Sequence, residues 1–162
     1  ERSVVMRSEQ EVNRAVDQYS DMVRRLCVVH LKNEADSEDI FQTVFLKYAL
    51  SSVRFENEEH EKAWLIRVTV NACKDLLKSF FRKNVVSIDA VTALKPDHRE
   101  VLETVLSLPA KYKDVVYLHY YEGYTAPQIG EILGKNTNTV YTLLTRSKQI
   151  LKEKLGSDEY ES

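Results

Sequence analysis

Apolar residues recur along most of this chain at three- and four-residue steps, and no long stretch alternates with period two. Helices are therefore expected and strands are not. Gln10 to Leu31 predicts one long helix with Val12, Val16, Tyr19, Val23 and Leu26 on a single stripe. Asn33–Asp36 is a polar break, and Asp36 is expected to cap a second helix whose first turn is acidic. That helix carries Ile40, Phe41, Val44, Phe45 and Tyr48 toward a core. Ser51 to Glu59 has no apolar period and is expected to be a loop. A further helix is predicted from about His60 to Phe81, with Trp64, Val68, Ala72 and Leu76 as its apolar stripe.

The periodicity then lapses. Asn84 to Asp97 mixes Val, Ser and Asp with one Pro, a length near the upper end for a loop inside one compact domain. It divides the chain into two helical domains, 10–83 and 99–155, with 84–98 as the linker. Beyond it, Arg99–Leu106 is expected to be a short helix and Leu108-Pro109 a break, because the residue before proline is disfavoured in the helical region. Lys111–Tyr121 follows as a helix that ends at Glu122-Gly123. Two more helices are predicted, at Ala126–Leu133 and Thr137–Leu155. The fold class is all-α.

Composition agrees with a folded chain. Of 162 residues 43% are hydrophobic and 30% charged, with four Gly and three Pro, which excludes a disordered or linker-rich protein. The longest apolar stretch, Ala63 to Leu77, is broken by Arg67, Asn71 and Lys74 and cannot span a bilayer. No signal peptide is read at the N-terminus, and a cytoplasmic location is expected. Cys27 and Cys73 lie inside apolar helical patterns, where a free thiol behaves as a small hydrophobe. His30, His60, His98 and His119 show no metal-ligand spacing, so neither metal nor cofactor is expected.

Charge changes the picture more. The net charge of −2 is not that of a protein that coats DNA unaided. Its distribution is uneven. Lys62, Arg67, Lys74, Lys78, Arg82 and Lys83 cluster on one predicted helix, and Lys135, Arg146, Lys148, Lys152 and Lys154 on and beside another. Acidic runs lie elsewhere, at Glu34–Asp39, Glu56–Glu61 and Asp158–Glu161.

The sharpest local signal is the run Tyr124-Thr125-Ala126-Pro127-Gln128-Ile129-Gly130-Glu131-Ile132-Leu133-Gly134-Lys135-Asn136-Thr137-Asn138-Thr139-Val140. Thr125 caps a short helix with Pro127 in its first turn, Gly134 supplies a left-handed turn, and Asn136 or Thr137 caps the next helix. This is a helix-turn-helix pattern. Asn138, Thr139, Tyr141, Thr142 and Arg146 project away from the Val140–Leu144–Leu151–Leu155 stripe, as residues that reach bases or phosphates in a major groove must. Arg67, Asn71, Lys74 and Lys78 fall within about 60° of one another on the earlier helix, a stripe able to follow a DNA backbone. Asp39, Gln42 and Leu46 project together from the far side of the second helix, a pattern suited to protein contact.

The order of these segments resembles the bacterial sigma factors of the extracytoplasmic-function (ECF) group. The resemblance is carried by Asp36-Ser37-Glu38-Asp39-Ile40-Phe41-Gln42-Thr43-Val44-Phe45-Leu46, by Ala63-Trp64-Leu65-Ile66-Arg67-Val68-Thr69-Val70-Asn71-Ala72-Cys73-Lys74-Asp75, by Leu106-Ser107-Leu108-Pro109-Ala110-Lys111-Tyr112, and by the helix-turn-helix. It covers about Gln10 to Leu155. It implies a sigma-2-like and a sigma-4-like domain joined by a flexible linker, with core RNA polymerase and promoter DNA as partners and an anti-sigma factor as regulator. Asp39, Gln42 and Leu46 would then dock on the polymerase clamp. Arg67, Asn71, Lys74 and Lys78 would meet the −10 element, with Phe55 or its loop neighbours shaping a pocket for an extruded base, which offsets part of the unpairing cost. The second helix of the helix-turn-helix would read the −35 element. One departure is the Thr142-Leu143-Leu144 run, where family members often carry Ser-Arg-Leu; Arg146 and Lys148 are left as the main cations there.

The competing expectation is a stand-alone helix-turn-helix regulator, which leaves the Asp39/Gln42/Leu46 patch and the Arg67–Lys78 stripe unexplained. An enzyme finds no support in the motifs: the sequence has no Gly-rich phosphate loop, metal spacing or nucleophile elbow.

Overall fold

The structure is a computed structural model that describes residues 6–31, 33–80 and 105–155. All regular structure among these residues is helical, and the chain divides into two compact units, one on each side of residues 81–104. The expected linker at 84–98 and most of the short helix expected over Arg99–Leu106 lie outside the described residues.

The first unit packs three helices, α1 (Glu9–Leu31), α2 (Glu34–Leu50) and α3 (Glu58–Phe80), each against the other two. Ser8 starts α1: its hydroxyl accepts from the Glu11 N–H at 3.1 Å and its carbonyl from the Val12 N–H. The cap of α2 is Asn33, not Asp36. Asn33 is extended (φ −138°) and its side-chain oxygen accepts from the Asp36 N–H, so Asp36 sits one turn inside, where its charge still favours the N-terminus. Asn57 caps α3 by accepting from the His60 N–H at 2.8 Å, and α3 starts two residues before the position expected.

The core between these helices holds Val23, Leu26, Val29, Val44, Tyr48, Leu65, Ile66 and Val70, all essentially inaccessible. Burying such a side chain stabilises the fold by roughly 1.5–3 kcal/mol relative to leaving it in water. Cys27 and Cys73 are buried free thiols among them. The inner face of α3 differs from the expected stripe. Leu65, Ile66, Thr69, Val70, Ala72 and Cys73 are buried, whereas Trp64, Val68 and Leu76 are half-buried at its flank. Packing against two helices at once widens the buried face beyond a single stripe, and Thr69 fits there because its hydroxyl donates to the Leu65 carbonyl at 2.7 Å. Outside the core, Arg24 ties α1 to α2: it pairs with Glu38 at 2.7 Å and lies 4.1 Å over the Phe41 ring.

In the second unit, α4 (Ala110–Val116) runs directly into a π-helical turn, Tyr117–Tyr121, where a continuous α-helix to Tyr121 was expected. The Glu122 N–H donates to the Tyr117 carbonyl, five residues back. Three contacts hold this wider turn. Tyr117 and Tyr121 stack with centroids 5.1 Å apart, the Tyr117 hydroxyl donates to Glu122 at 2.6 Å, and His119 Nδ1 donates to the Tyr124 carbonyl at 2.8 Å. Gly123 (φ 81°) then turns the chain, as Glu122-Gly123 predicts.

The helix-turn-helix follows as α5 (Ala126–Leu133) and α6 (Thr137–Leu155). Thr125 and Gln128 form a reciprocal capping box, Pro127 stands in the first turn, and Gly134 is left-handed (φ 68°). Asn136 caps α6, its side chain accepting from the Asn138 N–H at 2.8 Å. The turn also depends on Gly130. A Cβ there would lie 2.6 Å from the Lys135 carbonyl oxygen, so only glycine lets the two backbones approach this closely. Val140, Leu144 and Leu151 face inward with Ser147, whose hydroxyl donates to the Leu144 carbonyl. The side chain of Leu155 lies outside the described residues.

Candidate nucleic-acid interface

In the first unit Arg67, Asn71 and Lys78 are exposed along α3 and Lys74 is half-buried between them, so the stripe read from spacing lies along one outer helix face. At the N-terminal end of this stripe is the α2–α3 loop, residues 51–57. Phe55 is half-buried there. Its ring is parallel to that of Tyr48 at 6.1 Å, and it meets Trp64 edge-on at 5.7 Å and His60 edge-on at 5.2 Å. Phe55 is thus part of an aromatic cluster of the protein's own. Ser52, Val53, Arg54, Glu56 and Asn57 are the exposed residues beside it.

Two features fix this loop, and neither is visible as a motif. At its far end, His60 Nδ1 accepts from the Glu56 N–H at 3.1 Å, which places the imidazole proton on Nε2. At its near end stands Arg7. Its guanidinium donates to the carbonyls of Tyr48 (3.0 Å) and Val53 and lies over the rings of Tyr48 (4.5 Å) and Phe55 (4.8 Å).

Behind the cluster lies a buried charge. Glu61, the last acid of the 56–61 run, is not on a solvated face but 5% exposed. Arg14 donates to both its oxygens, at 2.8 and 2.7 Å, and the Tyr48 hydroxyl donates to one of them at 2.7 Å. Burial pushes the Glu61 carboxyl up, but the hydrogen bonds from Arg14 and Tyr48 outweigh it and hold the group below its ordinary value. The Tyr48 phenol is pushed up to about 12, first by burial and then by its bond to Glu61. The only sequence signal for this site is the helical phase of Glu61, four residues before the buried Leu65 and therefore on the inward side of α3.

On the opposite side of α2 Asp39, Gln42 and Leu46 are all exposed, Leu46 to 58%. Leu50 (46%) and Val53 (38%) extend the apolar edge beyond them.

In the second unit Asn138, Thr139, Tyr141, Thr142 and Arg146 are all exposed on α6, and Tyr141 presents more than half its surface. Arg146 and the acceptor-donor side chains beside it are chemically fit for phosphates and base edges. The Thr142 hydroxyl donates to the Asn138 carbonyl at 3.0 Å, which leaves its lone pairs to accept. Among the described residues no group of His, Cys, Asp and Glu could hold a metal ion, and no helix is long and apolar enough to cross a membrane.

Both units match the sigma-70 class of transcription-initiation proteins. Sigma-70 region 2 matches residues 15–82 and sigma-70 region 4 matches residues 98–151. The RNA polymerase sigma factor SigV of Bacillus subtilis is 32% identical over 142 residues, covering 83% of this chain and 85% of that protein. The ECF RNA polymerase sigma factor SigW of the same organism is 26% identical, covering 86% of each. Two solved structures share the fold. CnrH, in complex with the cytosolic domain of CnrY, has a TM-score of 0.67 at 20% identity, covering 93% of this chain and 91% of that one. The sigma factor RpoE of Bartonella quintana, in complex with the anti-sigma factor NepR, has a TM-score of 0.70 at 16% identity, covering 90% and 97%. The chain belongs to the ECF group of RNA polymerase sigma factors, the proteins that direct the polymerase to promoters.

Proposed function

We propose that the two units divide promoter recognition between them, as 10–83 and 99–155 joined by 84–98. The α3 stripe of Arg67, Asn71, Lys74 and Lys78, with the Phe55 loop, takes the −10 element. The exposed face of α6, Asn138, Thr139, Tyr141, Thr142 and Arg146, takes the −35 element from the major groove. The protein docks on core RNA polymerase through Asp39, Gln42 and Leu46, carries no catalytic step or cofactor of its own, and works in the cytoplasm. An anti-sigma factor restrains it, a reading supported by the complex of the similar RpoE with NepR.

The observation that carries this reading is the separation of the surfaces. Two polar or basic helix faces lie in two different units, and a third face, an acid, an amide and a leucine, belongs to α2 rather than to the striped α3 of the first unit. A protein held on polymerase can use both DNA faces at once, and its modest negative charge is no handicap because the polymerase supplies the rest of the affinity. The test is binding of the labelled protein to bacterial core polymerase beside the Asp39→Ala/Gln42→Ala variant. Tight binding that the variant loses, with unchanged folding, supports the docking site. Binding of both to a DNA site without polymerase, and of neither to the core, would return the case to a stand-alone regulator.

A further inference from the structure

Met6, Arg7 and Ser8 precede α1 and lie outside residues 15–82, the stretch matched to sigma-70 region 2. Arg7 is nevertheless among the most firmly tied surface cations of the first unit. Its backbone N–H donates to the Ala49 carbonyl at 2.9 Å, and Nε donates to the Tyr48 carbonyl at 3.0 Å. Both acceptors belong to the last turn of α2, where a cation is electrostatically favoured, and the Tyr48 carbonyl also accepts from the Ser51 N–H at 3.2 Å. One Nη then reaches forward to the Val53 carbonyl in the loop, and the other faces Glu11 at 3.5 Å. The guanidinium carbon lies 4.5 Å from the Tyr48 ring centroid and 4.8 Å from that of Phe55, and the side chain is only 12% exposed.

We propose that Arg7 is a positioning residue for −10 capture: from a strap ahead of α1 it sets the 51–57 loop, so that Phe55 and its neighbours offer a fixed surface to an extruded base. This rests on the −10 reading of that loop given above. Residues 51–57 have no regular secondary structure, and their near half is also held by the bonds from the Ser51 N–H to the Tyr48 carbonyl at 3.2 Å and from the Val53 N–H to the Ser51 hydroxyl at 3.1 Å. A loop that must be ordered at the moment of binding spends binding energy on that ordering, whereas a loop already held does not. The planar fork of arginine suits the task. Its separate N–H groups reach the carbonyls of Tyr48 and Val53 at once while the charge stays close to two rings, which a lysine ammonium, a point charge on a flexible stem, cannot reproduce.

The test uses holoenzyme reconstituted from the full chain, as wild type, Arg7→Ala and Arg7→Lys. Each is titrated against a fluorescent single strand carrying the non-template −10 region of a promoter mapped for this protein. The same strand with each −10 position in turn made abasic serves as the comparison. Wild type is expected to lose affinity at the abasic position that stands for the captured base. Arg7→Ala is expected to bind core polymerase as wild type does, to bind the intact strand about tenfold more weakly, and to show no further loss on that abasic strand. Arg7→Lys is expected to keep most of the defect. The proposal is overturned if Arg7→Ala discriminates the abasic strand as wild type does, if it weakens all strands or core binding equally, or if lysine restores full affinity. If wild type itself ignores every abasic substitution, the −10 reading of the loop falls, and the role of Arg7 in it falls as well.

Discussion

Arg14 and Glu61 stand 47 residues apart in the chain and meet as a two-point pair, one Nη to each carboxylate oxygen, at 2.8 and 2.7 Å. The pair joins α1 to α3, and the Tyr48 hydroxyl adds α2 at the same carboxylate. One buried acid therefore registers all three helices of the first unit. The arrangement also sits directly behind the aromatic cluster that includes Phe55 of the 51–57 loop, since Tyr48 belongs to both.

Arg14→Met should destabilise the first unit by roughly 1–3 kcal/mol, because it leaves a buried carboxylate short of its charged donor. The effect should fall toward the lower end, since the Arg14 side chain is 47% exposed and water can replace part of what it gives. Urea unfolding of the intact chain, followed by the fluorescence of Trp64, measures it.

The same unfolding carried out across pH carries a sign. The folded-state Glu61 value lies below the ordinary 4.5, so its stabilisation is whole above that pH and is lost as the pH falls through the folded value. In Arg14→Met the donor that offsets burial is gone and the carboxyl value rises, so protonation relieves the buried charge, and the stability gap between variant and wild type should narrow as the pH falls below about 4.5. Identical acid limbs for the two proteins would remove Glu61 from the account.

Gly130→Ala should damage the second unit alone. The added methyl meets the backbone of Lys135 rather than a movable side chain, a cost of about 1–3 kcal/mol for overpacking. Helical dichroism should show the lowered transition of one unit while Trp64 reports an unchanged first unit. Transcription should suffer on promoters that depend on the −35 element.

Leu46→Asp should leave stability within about 0.5 kcal/mol of wild type, as expected for an exposed site away from any cap or buried contact. Its affinity for core polymerase should nonetheless fall by at least about tenfold. Wild-type affinity in a folded Leu46→Asp protein would dismiss this face of α2 as the docking surface.

Arg146→Ala should weaken −35-dependent complexes and, if the guanidinium meets a phosphate, lower the salt dependence of binding by about one ion. A loss of equal size on templates that lack a −35 element would place Arg146 elsewhere.

The sequence was most legible where local chemistry decides structure. The run from Thr125 to Val140 contains its own cap, its proline, its left-handed glycine and its second cap, so the helix-turn-helix could be placed almost to the residue. The Asp39/Gln42/Leu46 and Arg67–Lys78 faces were legible for the same reason, since helical phase alone puts them outward. What was hidden depends on contacts between distant segments. Glu61 looks like its neighbours Glu58 and Glu59 until Arg14 and Tyr48 are brought to it. Arg7 stands in an unpatterned stretch, and its partners, Tyr48, Ala49 and Val53, come forty residues later. At the start of α2 the sequence reading places the cap at Asp36, whereas Asn33, three residues earlier, takes that role because its extended backbone lets its side chain accept from the Asp36 N–H.

The π-helical turn at Tyr117–Tyr121 has a consequence for how this chain can change length. A turn closed five residues back accommodates one more residue than an α-helical turn of the same hydrogen-bonding pattern. Deleting one residue there, such as the exposed Tyr120, would let the segment wind into an ordinary α-helical turn while the chain downstream kept nearly the same rotational register relative to α4. The contacts between residues five apart, Tyr117 with Glu122 and His119 with Tyr124, would become contacts between residues four apart, the spacing an α-helical turn brings together. Among relatives of this chain, the segment should therefore occur both as a π turn and, one residue shorter, as plain α-helix, with the helix-turn-helix carried in the same place.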